Sequence, residues 1–100
     1  MRLSQKTIIV LINNIKKSFG DVNIYLFGSR TDDNKKGGDI DLAIDTILSR
    51  QDFRKKKSLV LANLIRIDFD YDIDIVNYNT SDKLLYNEIQ KNNIQLIYNK

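Results

Sequence analysis

The 100-residue sequence contains no cysteine, no histidine and no proline. Without cysteine there is no disulfide framework, no thiol nucleophile and no thiolate zinc site. Without histidine, the usual Ser–His–Asp relay and imidazole metal sites are excluded. Any acid–base or metal chemistry must therefore rest on carboxylates, which suit hard ions such as Mg²⁺ or Mn²⁺.

The sequence also lacks an apolar run long enough to span a membrane, so we expect no membrane association. Residues 1–17 have polar residues within their apolar stretch and no small-residue cleavage site, which favours an amphipathic helix over a signal peptide. With 42% hydrophobic and 29% charged residues, the composition is typical of a globular protein. We therefore expect a single cytoplasmic domain over residues 1–100. The net charge of +3 is compatible with a polyphosphate or nucleic-acid ligand but selects neither.

Hydrophobic periodicity predicts helices that alternate with short strands. The predicted helices cover about residues 5–19, 49–67 and 81–92, and the predicted strands cover 22–27, 39–45, 71–78 and 94–98. Ser4 is the expected N-cap of the first helix, and Thr80 or Ser81 that of the last. This order predicts an α/β (α+β) domain in which helices flank a small mixed sheet.

The apolar residues of the later helices indicate which side faces the core. In the second helix we expect Ile65 to pack inwards with the other apolar residues, and the basic run 54–57 to lie on the solvent side. In the last helix we expect packing through Leu84, Leu85 and Ile89.

Aspartates alternate with apolar residues in two predicted strands. In the second strand (DIDLAID), Asp39 and Asp41 share one face, roughly 6.5 to 7 Å apart. The third strand repeats the pattern with Asp72 and Asp74. If the strands are neighbours, these carboxylates converge on a patch that repels itself unless cations are present. Two divalent ions about 3.5 to 4 Å apart would remove this repulsion and would stabilise the attacking and leaving oxygens of a displacement at phosphorus.

The alternation has a simpler explanation, because aspartates in a strand often lie on the solvent-exposed face of a sheet whose other face packs on the core. The preceding stretch LFGSR, residues 26–30, favours the metal site. A strand that ends in Gly28-Ser29 brings backbone N–H groups and a hydroxyl close to an anion, and the glycine would let a phosphate approach the main chain. A simple strand-ending turn explains Gly-Ser equally well when it is taken alone.

Taken together, LFGSR, GGDIDLAID and the later DIDIV resemble the DNA polymerase β-like nucleotidyltransferase superfamily. The signature of that superfamily is hydrophobic–Gly–Ser, then D-x-D on the next strand, then a third carboxylate on a further strand. At this length the sequence looks most like the minimal nucleotidyltransferases, the MNT antitoxins of HEPN/MNT toxin–antitoxin systems. The resemblance implies a polymerase β-like nucleotidyltransferase core.

The resemblance implies a role for each matching residue near the phosphates. Gly28 and Ser29 would hold the triphosphate of ATP, and Arg30 occupies a position where family members commonly carry an arginine. Two interpretations of this arginine remain open, a contact with a phosphate and a salt bridge at the surface.

The resemblance also implies that the carboxylates bind two Mg²⁺ ions, with Mn²⁺ as an alternative. Asp39 and Asp41 would bind both ions, and Asp74 matches the third carboxylate, which helps to activate the attacking hydroxyl. Asp72, two residues earlier on the same face, is the alternative for that third position.

The implied reaction is the transfer of AMP from ATP to a tyrosine hydroxyl of a helical HEPN-type toxin, whose ribonuclease activity is thereby silenced. The domains with which larger relatives grip a template, tRNA or antibiotic are not expected here, so the partner would present the acceptor.

Two alternatives remain open. One is an antitoxin that neutralises its toxin by contact alone. The other, ranked third, is a module that binds nucleic acid through the basic run 54–57. We do not expect direct nucleic-acid binding, because a basic run is usually a solvated helix face and no aromatic residues cluster near it.

Overall fold

The structure, a computed structural model, describes residues 3–28 and 39–97. Its elements are α1 (Gln5–Phe19), β1 (Asn23–Phe27), β2 (Asp39–Asp45), α2 (Arg50–Arg66), β3 (Asp72–Asn77), α3 (Lys83–Lys91) and β4 (Asn93–Leu96). The predicted order of helices and strands is confirmed, and the described ends differ from the prediction by at most two residues. No helix in the described ranges is long and apolar enough to cross a membrane.

Serine side chains begin the two long helices. The Ser4 hydroxyl accepts a hydrogen bond from the Thr7 backbone N–H at 3.1 Å, which confirms the predicted cap of α1. The Ser49 hydroxyl accepts one from the Asp52 backbone N–H at 3.1 Å, at the start of α2. Each bond satisfies a donor that the first turn of a helix would otherwise leave unpaired.

The cap of α3 differs from the prediction. Asp82 is the N-cap, and its Oδ1 accepts hydrogen bonds from the N–H groups of Leu84 and Leu85 at 3.0 and 3.2 Å. The Thr80 hydroxyl accepts instead from the Asp82 N–H at 3.1 Å, so it orders the turn before the helix. Thr80 and Ser81 were therefore wrong as caps. A carboxylate satisfies two N–H groups and also interacts favourably with the positive end of the helix dipole.

The described strands form a sheet in the order β3-β2-β1-β4. β2 and β3 are parallel, and the other two pairs are antiparallel, which confirms the predicted mixed sheet. Parallel neighbours need a long crossover connection, and α2 provides it between β2 and β3.

Helices cover the two faces of the sheet unequally. The larger core lies on the face covered by α1 and α2 and includes Leu11, Ile12, Ile15, Ile24, Leu26, Ile40, Leu42, Ile44, Val60, Leu64 and Ile75. On the opposite face a smaller cluster is formed by Phe27, Ala43 and Ile89, with Leu85, Val76 and two tyrosines packed against it. Among the described residues, α3 covers only part of this second face.

Two apolar residues expected in the core are exposed. Ile65 is 80% exposed, because α2 packs through Val60 and Leu64 while Ile65 lines an open groove beside β3. Leu84 is 83% exposed, since α3 packs through Leu85 and Ile89 and the neighbouring position is rotated by about 100° around the helix. The helical period was correct, but each helix buries a narrower stripe than its apolar content indicates.

Candidate active site

Asp41 of β2 and Asp74 of β3 lie on the face opposite the larger core, because their neighbours Ile40, Leu42 and Ile75 point into that core. In the parallel register Asp41 pairs with Asp74, and Asp39 pairs with Asp72. Neighbouring strands are about 4.8 Å apart, so each pair is in close proximity at the backbone. The two strands are neighbours, as the convergence of the aspartates requires. The register places Asp74 beside Asp41, and it places Asp72 two residues earlier in β3, beside the backbone of Asp39.

Gly28 brings the main chain at the end of β1 against the acidic face. Its φ angle is +79°, a value that residues with a side chain rarely adopt. A Cβ at this position would lie 2.7 Å from Oδ2 of Asp41. The glycine is therefore required both by its backbone conformation and by the approach of the carboxylate. This contact joins the LFGSR stretch to the D-x-D stretch in space.

Asp41 and Asp74 have different surroundings. Asp41 is half-buried beside Gly28. The Asp74 side chain is 60% exposed, and its Oδ1 lies 3.4 Å from Nζ of Lys57, which is 30% exposed. The expectation that the whole basic run 54–57 lies on the solvent side was therefore wrong at Lys57, and also at the half-buried Lys56, whose Nζ donates a hydrogen bond to the Ser18 carbonyl oxygen. The sequence carries no signal for this ion pair, because it depends on how α2 crosses the sheet.

The other end of the same face carries an aromatic pair and a hydrogen-bonded carboxylate. The rings of Tyr25 and Tyr78 lie 4.7 Å apart between centroids. Nδ2 of Asn79 donates a hydrogen bond to Oδ1 of Asp45 at 2.7 Å. Burial, followed by the proximity of Tyr78 and Asp45, raises the pKa of Tyr25 above its ordinary value, so the phenol stays protonated. Asp45 is thus held by a hydrogen bond at the tyrosine end of the face, whereas Asp74 is exposed and lies beside Lys57.

Several predicted site residues lie outside the described residues. These are Ser29 and Arg30, together with the side chain of Asp39, whose backbone begins β2. Within the described part of the chain, no group of three or more acidic side chains forms a metal site. The roles assigned to Ser29, Arg30 and Asp39 therefore remain predictions. What the structure brings together is Gly28, Asp41 and Asp74.

A comparison with protein families matches most of the chain. The family described as "Polymerase beta, Nucleotidyltransferase" matches residues 10–100. No curated protein matches the sequence.

Solved structures share the fold. A MntA–HepT toxin–antitoxin structure is 20% identical with a TM-score of 0.64, over 96% of this chain and 74% of that chain. A toxin–antitoxin structure with AMP-PNP is 21% identical with a TM-score of 0.66, over 93% and 74%. A structure of tri-AMPylated Shewanella oneidensis HEPN toxin in complex with MNT antitoxin is 21% identical with a TM-score of 0.66, over 97% and 74%. At these identities the likeness establishes a common fold.

Proposed function

The chain belongs to the polymerase beta nucleotidyltransferase family, and on this basis we propose that it transfers AMP from ATP to a tyrosine hydroxyl of a HEPN-type toxin, with release of pyrophosphate, and so acts as its antitoxin. The observation that carries the proposal is the juxtaposition of Asp41 with Asp74 and with the backbone of Gly28. The solved structures of similar fold support it: one contains an ATP analogue, and another contains an AMPylated toxin bound to an MNT antitoxin. We expect the reaction to take place in the cytoplasm.

The residues present fit a divalent metal. Asp41 and Asp74 lie on adjacent strands of one face, Asp39 begins the same strand as Asp41, and the chain has no histidine or cysteine to favour a softer ion. We assign Mg²⁺, with Mn²⁺ as the alternative, to these three carboxylates. Two bound ions would neutralise phosphate charge and lower the proton affinity of the acceptor hydroxyl.

The chain's own residues hold the nucleotide. Gly28 has no side chain, so the Asp41 carboxylate lies against the main chain at this point. In the proposal the phosphates of ATP bind beside this carboxylate. In the proposal Ser29 adds a hydroxyl and Arg30 a cation to the same phosphates. Catalysis of phosphoryl transfer rests mainly on positioning and charge neutralisation, so a chain without histidine can perform it.

Asp74 is the residue that we place nearest the acceptor. It lies on β3, the end strand of the described sheet, and its side chain is exposed, so a second protein can reach it. A tyrosine hydroxyl ordinarily titrates at about pH 10, so a neighbouring carboxylate is needed to take its proton at neutral pH. Asp74 supplies that proton acceptor in the proposal.

Intact mass measurement tests the transfer. The protein is incubated with the product of the adjacent gene, ATP and Mg²⁺. We expect the neighbour to gain whole AMP units with wild-type protein and with Asp72→Ala, but not with Asp74→Ala. If the neighbour is neutralised without any change in mass, the protein is an antitoxin that acts by contact alone. Transfer that is lost with Asp72→Ala and kept with Asp74→Ala would move the third carboxylate to Asp72.

A further inference from the structure

Lys57 connects the helical layer to the acidic face. Its Nζ lies 3.4 Å from Oδ1 of Asp74, although α2 packs through Val60 and Leu64 against the opposite face of the sheet. The lysine side chain therefore reaches the carboxylate around β3, the end strand of the described sheet. Its position next to the proposed metal ligand distinguishes it from an ordinary surface lysine.

The helix segment that carries Lys57 is anchored to α1. The Ser18 hydroxyl donates a hydrogen bond to the carbonyl oxygen of Lys56 at 2.9 Å, and Nζ of Lys56 donates one back to the carbonyl oxygen of Ser18 at 3.3 Å. The rings of Phe19 and Phe53 lie 5.2 Å apart on the same side. These contacts fix the backbone directly before Lys57, and the Lys57 side chain that extends from it is 30% exposed with its ammonium beside Asp74.

Without a metal ion, the carboxylates of the acidic face repel each other and favour a nearby positive charge. Asp41 and Asp74 are register partners, and Asp72 follows on the same face, so like charges lie close together. The Lys57 ammonium reduces this repulsion. An ammonium and a metal ion repel each other, and both draw on the same Asp74 carboxylate, so the binding of one weakens the binding of the other.

We propose that Lys57 is a built-in counter-ion that holds Asp74 in the metal-free protein and releases it when a divalent cation binds. Lys57 is then a positioning residue, because it contacts a metal ligand and not the reacting groups. The inference rests on the proposed function for the presence of the cation.

Three variants of α2 distinguish the counter-ion role of Lys57 from the general effect of removing one positive charge from the protein. Lys57→Met keeps the apolar stem and helix propensity but removes the ammonium. Lys57→Arg keeps a cation at the same position. Lys55→Met is the matched control, because it removes the same charge from the exposed side of the same helix. Mn²⁺ alone is titrated into each protein, and free Mn²⁺ is measured by electron paramagnetic resonance.

We expect Lys57→Met to bind Mn²⁺ about twofold to fivefold more tightly than Lys55→Met, since an exposed ion pair is worth up to roughly this factor. Lys57→Arg should bind like wild type. If Lys57→Met and Lys55→Met bind Mn²⁺ equally, the counter-ion role is overturned while the proposed metal site stands. If wild-type protein binds no Mn²⁺, both the proposed metal site and the release of Asp74 by Lys57 on cation binding are overturned.

Thermal unfolding gives a second readout that does not depend on activity. Without metal, Lys57→Met should melt below Lys55→Met, because only the former loses the ion pair with Asp74. At saturating Mn²⁺ this difference should disappear, since the cation that stabilises the folded state takes the place of the ammonium. A difference that persists unchanged at saturating Mn²⁺ would show that Lys57 has a purely structural role.

Discussion

At the residue scale, one contact joins the two motifs on which the functional interpretation depends. Gly28 ends β1 with a positive φ, and the absence of a side chain lets the Asp41 carboxylate lie against its backbone. The sequence indicates that glycine suits a close approach of phosphate at this point. The structure adds that the glycine must also accommodate a neighbouring carboxylate, so its substitution would disturb the acidic face directly.

The first prediction concerns Gly28→Ala. The new Cβ would displace the Asp41 carboxylate, and the positive φ would add strain of about 1–2 kcal/mol. We expect a lower free energy of unfolding in urea and a large loss of nucleotidyl transfer.

Gly20→Ala is the control for this variant. Gly20 also has a positive φ, +86°, but a Cβ there would have no heavy atom within 4 Å. We expect this variant to lose stability and to keep its transfer activity while it remains folded. If Gly20→Ala and Gly28→Ala lose activity equally, backbone strain and not the contact with Asp41 is responsible.

The second prediction concerns the carboxylates of β2. Asp39→Asn and Asp41→Asn should abolish transfer and leave the fold intact, because removal of a like charge relieves repulsion on the face. Asp70→Asn, at an exposed position before β3, is the control and should retain activity. Transfer assays and urea unfolding of the same preparations provide the comparison. A variant that unfolds would assign its aspartate to a structural role.

At the element scale, α2 uses its basic residues differently from a nucleic-acid-binding helix. Arg54 and Lys55 are exposed, whereas Lys56 and Lys57 are half-buried and contact Ser18 and Asp74. The run therefore splits between solvent and internal contacts instead of forming one charged stripe. This arrangement favours the nucleotidyltransferase over the nucleic-acid-binding module.

The third prediction concerns the start of α3. Asp82→Ala removes the acceptor of two backbone N–H groups and should lower the free energy of unfolding by about 1 kcal/mol. Ser81→Ala is the matched control and should change stability little, because Asp82 caps the helix. Urea unfolding followed by circular dichroism measures both. A larger loss of unfolding free energy with Ser81→Ala than with Asp82→Ala would show that Ser81 is the N-cap, as the sequence pattern predicts.

At the scale of the whole molecule, the unequal cover of the two sheet faces decides where a ligand can bind. α1 and α2 cover one face, whereas α3 covers only the part of the other face around Ala43 and Phe27. Within residues 3–28 and 39–97, Asp74 is exposed on that face and Asp41 beside it is half-buried. The same sheet therefore provides a stable core on one side and an open acidic site on the other.

The fourth prediction concerns the metal requirement of ATP binding. Because like charges on the acidic face oppose a polyphosphate, we expect ATP to bind with Mg²⁺ or Mn²⁺ present and to lose most of its affinity in EDTA. Isothermal titration calorimetry under the two conditions measures the difference. Equal affinity in both would contradict a carboxylate–metal site.

The sequence alone determined the order of the elements and the shared face of the aspartates. Both follow from local geometry, since a helix repeats every 3.6 residues and a strand every two. The first four residues of DIDLAID and of DIDIVN alternate aspartate with an apolar residue, and a strand is the regular element in which such aspartates share a face. The family resemblance rests on the same short patterns, and the family comparison confirms it.

Only the tertiary structure decided which aspartate lies beside which, and what else approaches them. The pairing of Asp41 with Asp74 depends on β2 and β3 being parallel and in that register. The contacts of Asp41 with Gly28 and of Asp74 with Lys57 join residues that are distant in the sequence. Local periodicity carries no information about such contacts, because they arise from the way in which the helices pack on the sheet.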